Sequence, residues 1–190
     1  MKRFLRATAL TVAIGFSLIF PPGALQAQQV PFTFDLVPAS AAIASCLPNA
    51  HAKVTVFPRE EILGVDTLDL KAEGLPPNTA FAVFLTEKPT PRFGAVQYIG
   101  DFTTNAAGQG SMRVDAIIVE AFALASSDAA FGDRLPRVEL NHVVAWFADP
   151  AGDDVCFGTG GGPITPFDGD GEAGAAALSS QNSLPGAPLP

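Results

Sequence analysis

The stretch NHVVAWFADPAGDDVCF, Asn141–Phe157, decides how the rest of the chain is read. It gathers the single Trp (Trp146), one of two Cys (Cys156) and one of two His (His142) around an Asp-rich turn. Along Asn141–Ala148 the apolar residues fall on both faces, Val144 and Trp146 one way, Val143 and Phe147 the other. A run apolar on both faces suits a central strand covered on both sides. Asp149-Pro150-Ala151-Gly152-Asp153 is dense in turn formers: Pro presets φ, Gly accepts positive φ, and Asp bonds its own backbone. The expectation is a buried β-hairpin in which Phe147 faces Val155 and Trp146 faces Cys156.

Working outward, Met1–Ala27 has the plan of a cleaved secretory signal. Lys2, Arg3 and Arg6 precede an apolar run, Ala7–Phe20, that Pro21, Pro22 and Gly23 break. Fourteen residues are too few to span a bilayer as a helix, so no membrane anchor is expected. Removing these 27 of 190 residues leaves 163 for one domain, enough to bury a core. It also removes three of eleven basic residues, leaving eight against nineteen acidic ones and a charge of −11. A chain this acidic, without a basic stripe, is not a nucleic-acid binder. The localisation that follows is secreted or periplasmic. In an oxidising compartment Cys46 and Cys156 are expected to form a disulfide, closing a loop of about 110 residues worth ~4–5 kcal/mol in the chain-entropy picture.

Short strands with Gly, Pro and Asn turns fill the remainder. Val30–Val37 alternates, with Phe32, Phe34 and Leu36 on one face, and Ala52–Phe57, Val65–Ala72 and Ala80–Thr86 follow. Glu87–Gly94 reads as a Pro-rich solvated loop carrying a small basic spot, Lys88 and Arg92. Asn105–Gln109 fits a three-residue hairpin loop with Gly108 in the left-handed position, pairing Phe102 with Met112 and Asp101 with Arg113. Ile117–Ser127 permits one short connecting helix. The fold class expected is all-β: an antiparallel sandwich, immunoglobulin-like, of about eight strands with at most one short helix, a closed barrel being the runner-up. The domain is placed at residues 28–172, and residues 173–190 are read as a disordered tail.

The chemistry-bearing residues are sparse. No G-x-S-x-G elbow occurs, and Gly158–Pro163 lacks the Lys-Ser/Thr of a phosphate loop. A blue-copper site needs a thiolate with two His, and no His or Met follows Cys156 closely. His51 and His142 would share a metal only if the disulfide drew their segments together. Calcium is the better metal candidate, because hard oxygen clusters suit it. Asp149, Asp153 and Asp154 crowd one turn, while Asp168, Asp170 and Glu172 fall within five residues. Glu60/Glu61 and Asp153/Asp154 are the available carboxylate pairs for acid–base work, and neighbours in sequence usually diverge. The chain is therefore expected not to be an enzyme.

Gly74-Leu75-Pro76-Pro77-Asn78-Thr79 before an aromatic strand, Gly100–Asn105 with Gly108 and Gly110, and the Trp146 stretch resemble a pattern found in uncharacterised exported bacterial β-sandwich proteins. The resemblance covers about half of the exported chain and implies an immunoglobulin-like or related sandwich, with no catalytic residues to carry over. The Cys…Trp…Cys order of true immunoglobulin domains is absent. The function expected is an exported, non-catalytic protein that binds or scaffolds through its loops, its partner an extracellular protein or glycan. The alternative is a calcium-dependent binder of carbohydrate or a small ligand, using the two acidic loops.

Overall fold

A computed structural model describes residues 30–59, 63–124, 136–165, 171–180 and 188–189. The signal stretch Met1–Ala27, Glu60, Glu61, Asp168 and Asp170 lie outside the described residues. The strands are β1 (Phe32–Pro38), β2 (His51–Phe57), β3 (Asp66–Glu73), β4 (Ala80–Thr86), β5 (Val96–Thr103), β6 (Gly110–Ala116), β7 (Phe122–Leu124), β8 (Arg137–Glu139), β9 (His142–Phe147) and β10 (Ala176–Ser179). Among the described residues two short helices join them, α1 (Ala41–Cys46) and α2 (Asp154–Phe157), the latter entered through a 3-10 turn at Pro150–Asp153.

All strand pairing is antiparallel. Eight strands form one sheet in the order β5-β4-β9-β10-β1-β2-β3-β6, with β7 and β8 as a separate ladder. Strand β1 divides its pairing, Phe32–Leu36 with β2 and Val37–Pro38 with β10. It thereby joins two four-stranded halves into one sheet. The sheet curls into a near-barrel, its end strands β5 and β6 meeting where Asn105–Gln109 connects them.

The alternation of β4 and β9 places two hydrophobic clusters on opposite faces, as the apolar-on-both-faces pattern of each strand requires. Phe81, Val83 and Leu85 of β4 and Val143, Ala145 and Phe147 of β9 enter the main core with Leu36, Val54, Val56, Leu68 and Leu70. Phe81 lies between Phe102 and Phe147, ring centroids 5.1 and 5.0 Å away. Ala82, Phe84, Val144 and Trp146 turn outward into a smaller cluster with Ala173. A bulge in β5 shapes the neighbouring edge: Tyr98 opposes Phe84 and Gly100 opposes Val83, so Ile99 is the extra residue. The bulge breaks the alternation, sending Ile99 and Phe102 inward while Tyr98 reaches Phe84 on the outer face.

Five expectations are corrected. Asn141–Phe157 is not a hairpin: β9 ends at Phe147 and the chain turns into helix. Asp149 is an N-cap, accepting a hydrogen bond from the Ala151 N–H (2.8 Å), and Pro150 follows at the first helical position. Asp-Pro is therefore a helix start here, a role that the same residues fill as readily as a turn. Trp146 consequently lies across from Ala82 of β4 and Ala176 of β10, not Cys156. The Asn105–Gln109 turn does form, with Gly108 at φ 71° and the Asn105 carbonyl accepting from the Gly108 N–H. The strands that leave it diverge to opposite ends of the sheet, however, so Arg113 pairs with Asp69 of β3 (3.1 Å) rather than Asp101. The described part of Ile117–Ser127 holds strand β7 instead of a helix, while α1 and α2 exceed the single helix expected. Finally, the domain does not end at residue 172, because Ala176–Ser179 forms β10 in the middle of the sheet, between β1 and β9.

Among the described residues no helix is long and apolar enough to cross a membrane. The Cys46–Cys156 disulfide is formed, with a Cα–Cα distance of 5.4 Å, and ties α1 to α2.

Candidate functional site

The outer face of β4 and β9 carries the most distinctive arrangement in the molecule. Trp146 stands edge-on to Phe84 of the adjacent strand (centroids 5.1 Å, 78°) and to Phe93 (4.7 Å, 70°). Phe93 comes from the Glu87–Gly94 loop, which is mostly exposed, as expected of a solvated loop, and folds back on itself. The Glu87 N–H donates to the Ala95 carbonyl (2.9 Å) and the Lys88 N–H to the Phe93 carbonyl (2.9 Å). Thr86 Oγ1 donates to the Lys88 carbonyl (2.7 Å), and Ser179 Oγ of β10 reaches the Pro89 carbonyl. Pro89-Thr90-Pro91-Arg92 is thus the four-residue tip of the hairpin joining β4 to β5. Arg92 takes a left-handed backbone (φ 70°) and Gly94 another (φ 75°).

Glu87 is the acid of this loop, and it is spoken for internally. Its Oε2 accepts from the Ala95 N–H (3.2 Å) and its Oε1 meets Lys88 Nζ (3.3 Å). The Ala95 N–H, and then Lys88, hold its pKa below the ordinary carboxylate value. A Cβ at position 94 would stand 2.1 Å from Glu87 Oε2, so glycine is required there for the fold-back.

A second segment completes the cover. Thr165 and Ala173 exchange backbone hydrogen bonds (2.7 and 2.9 Å), and Thr165 Oγ1 donates to the Gly174 carbonyl (3.1 Å). Between these covers lies a cleft. One cavity of about 360 Å3 is lined by Phe84, Arg92, Phe93, Gly94, Val96, Trp146 and Thr165. A second, of about 430 Å3, shares Arg92, Phe93, Trp146 and Thr165 and extends to Ser40 at the start of α1 and Phe157 at the end of α2. Both volumes are in the range of small-molecule sites, about 300–1,000 Å3.

The acidic residues singled out from sequence are not gathered in one place. Asp149 caps the 3-10 turn. Asp154 accepts from the Gly160 N–H (2.8 Å). Asp153 is 1% exposed and accepts from the Ala175 N–H (2.6 Å), fastening the turn to the strand leading into β10. Its carboxylate fills the space where side chains at positions 162 and 174 would stand: a Cβ there would approach it to 2.0 and 2.7 Å. Among the described residues its Oδ1 has no partner. Burial pushes its pKa up, the Ala175 N–H pulls it back, and the neighbouring Asp154 charge raises it again. Glu172 is exposed. Among the described residues no three His, Cys, Asp or Glu side chains form a metal-binding group.

The two His are engaged separately. His51 Nε2 meets Glu73 (2.9 Å) on the exposed side of β2 and β3. His142 is buried with Nδ1 3.3 Å from Ser180 Oγ, and burial lowers its pKa.

Of the cleft residues, Phe84, Phe93 and Thr165 were not picked out by sequence reasoning, and Arg92 was noted only as part of a basic spot on a solvated loop. Two signals pointed to them: an aromatic side chain in an otherwise polar, Pro-rich loop, and a β4 apolar on both faces, which demands a cover on each. No family model matches the chain, and no curated protein or solved structure is similar to it.

Proposed function

We propose that the protein is an exported, non-catalytic binding module that takes an apolar small ligand into the cleft over β4 and β9. One observation carries this reading: Trp146, Phe84 and Phe93 wall cavities on the outer face of the sheet instead of joining the main core. An apolar concavity with few polar groups is the usual form of a small-molecule site. Among the described residues the linings hold the hydroxyls of Ser40 and Thr165 but no Asp, Glu, His or Cys to activate them, which supports binding over catalysis. The signal-like Met1–Ala27 stretch and the disulfide support export. We read the two four-stranded halves joined through β1 as the layers of a sandwich, related in general plan to immunoglobulin-like domains and rolled toward a barrel.

Trp146 is the single Trp of the chain, so its emission reports on the cleft alone. Titration with an uncharged phenylalkanol, 4-phenylbutan-1-ol, is expected to shift or quench that emission saturably, and Phe84→Ala to weaken the response. Unchanged emission up to millimolar concentration, with no heat of binding, would refute the reading.

A further inference from the structure

The chemical class of ligand can be narrowed, resting on the reading of the cleft as a binding site. Among the described residues Arg92 is the one ionisable residue lining either cavity, and it lines both. This is notable in a chain with nineteen acidic and eleven basic residues. Four other cations are paired: Arg113 meets Asp69, Arg137 meets Glu139, Lys53 meets Asp35 and Lys88 meets Glu87, while Arg59 lies over the Phe57 ring and Lys71, like Arg92, forms no ion pair among the described residues. Among the described residues Arg92 has no carboxylate within ion-pair distance. The acid nearest in sequence, Glu87, is held by Ala95 and Lys88.

Backbone conformation adds to this. A left-handed non-glycine residue is uncommon, and such outliers collect where a site fixes a side chain. Here the two loop-closing hydrogen bonds and the proline at position 91 hold Arg92 in that conformation at the tip of the loop. Phe93, the next residue, is anchored on Trp146, and Arg92, itself exposed, lines both cavities beside these aromatic walls. Thr165 lines both cavities as a neutral hydroxyl. Aromatic walls favour a planar apolar body, and a guanidinium binds a carboxylate through paired charge-assisted hydrogen bonds.

We propose that the cleft selects small monoanionic ligands with an aromatic or similarly apolar body, of the arylalkanoic acid type, and that Arg92 reads the carboxylate. The test uses the full chain and three probes of one skeleton: 4-phenylbutyrate, 4-phenylbutan-1-ol and 4-phenylbutylamine, followed by Trp146 emission and calorimetry at low salt. The carboxylate is expected to bind about five- to ten-fold tighter than the alcohol, with the amine weakest and the preference shrinking as salt is added. Arg92→Gln should abolish the carboxylate's advantage over the alcohol. Equal binding of carboxylate and alcohol to the wild type would overturn the anion preference while leaving the cleft as an apolar site. A carboxylate preference that survives in Arg92→Gln would also overturn it, by placing the anion elsewhere. Failure of all three probes to bind would refute the cleft itself.

Discussion

Replacing Cys46 and Cys156 together by Ser tests what the disulfide does for the fold. The bridge spans a sequence separation of 110 and joins two short helices lying outside the strand ladders. Beyond the bond itself, the bridge region adds one long Sγ contact from Cys46 to the Val155 carbonyl (3.7 Å). The effect should therefore arise mainly in the unfolded chain. Loop-closure entropy for this separation corresponds to about 4.8 kcal/mol at 25 °C. Spread over an unfolding entropy of roughly 2.1 cal/mol/K per residue for ~160 residues, that is a loss of up to about 14 °C in Tm. The assay is urea unfolding followed by Trp146 emission, comparing oxidised wild type, reduced wild type and the double variant. An unfolded chain freed of the bridge exposes more surface, so the m-value should rise as the midpoint falls. Reduced wild type and double variant should coincide. A loss below about 1 kcal/mol with an unchanged m-value would refute the entropic account, and would mean that the sheet's own connections already restrain the chain.

How far the fold was legible follows from which interactions set each element. Strands β2 and β3 lie close to where period-two alternation put them, and β4 where the short apolar run Ala80–Thr86 put it, because their patterns are local and the sheet only had to accept them. The disulfide was legible because only two Cys exist. β10 was not: Ala176-Ala177-Leu178-Ser179 has little strand propensity of its own, and it is a strand because β1 and β9 offer open edges on either side. The Asn105–Gln109 turn shows the same division. Gly108 and the Asn105 side chain, which accepts from the Ala107 and Gln109 N–H groups, fix the turn locally, but pairing of the strands that leave it was decided by β4 and β3. Opposite-charge residues on facing strands then marked the wrong partner, since Asp69 and Asp101 were equally available to Arg113. The cleft was hidden for a related reason. The Pro-rich loop is mostly exposed, as its composition suggests, but its closing hydrogen bonds lay Phe93 on Trp146, and neither partner's sequence names the other.

Two further tests probe the elements that sequence reading placed differently. Ending the chain after Glu172 removes β10 and with it the hydrogen bonds that join β9 to β1. Loss of cooperative unfolding and of the native Trp146 emission is expected, and a truncated chain that melts like the full one would refute the central position of β10. Asp153→Asn addresses the buried carboxylate. Burial raises its folded-state pKa above the ordinary 3.8, so the folded state favours the protonated form. The stability that this group contributes is then fullest below the unfolded pKa and is lost as pH rises through the raised folded value. At neutral pH the charged carboxylate, with Oδ1 unpartnered among the described residues, works against the fold. An amide can still accept from the Ala175 N–H and carries no charge. The variant should therefore be at least as stable as wild type at pH 7, and its advantage should shrink as pH falls from 7 to below 4, read as the difference in Tm between the two proteins at each pH. Subtracting wild type from variant cancels the titration of the other carboxylates. If the variant is instead less stable by more than about 1 kcal/mol at pH 7, and the deficit closes only in acid, then the negative charge of Asp153 holds the turn to β10, and burial is not what dominates its energetics.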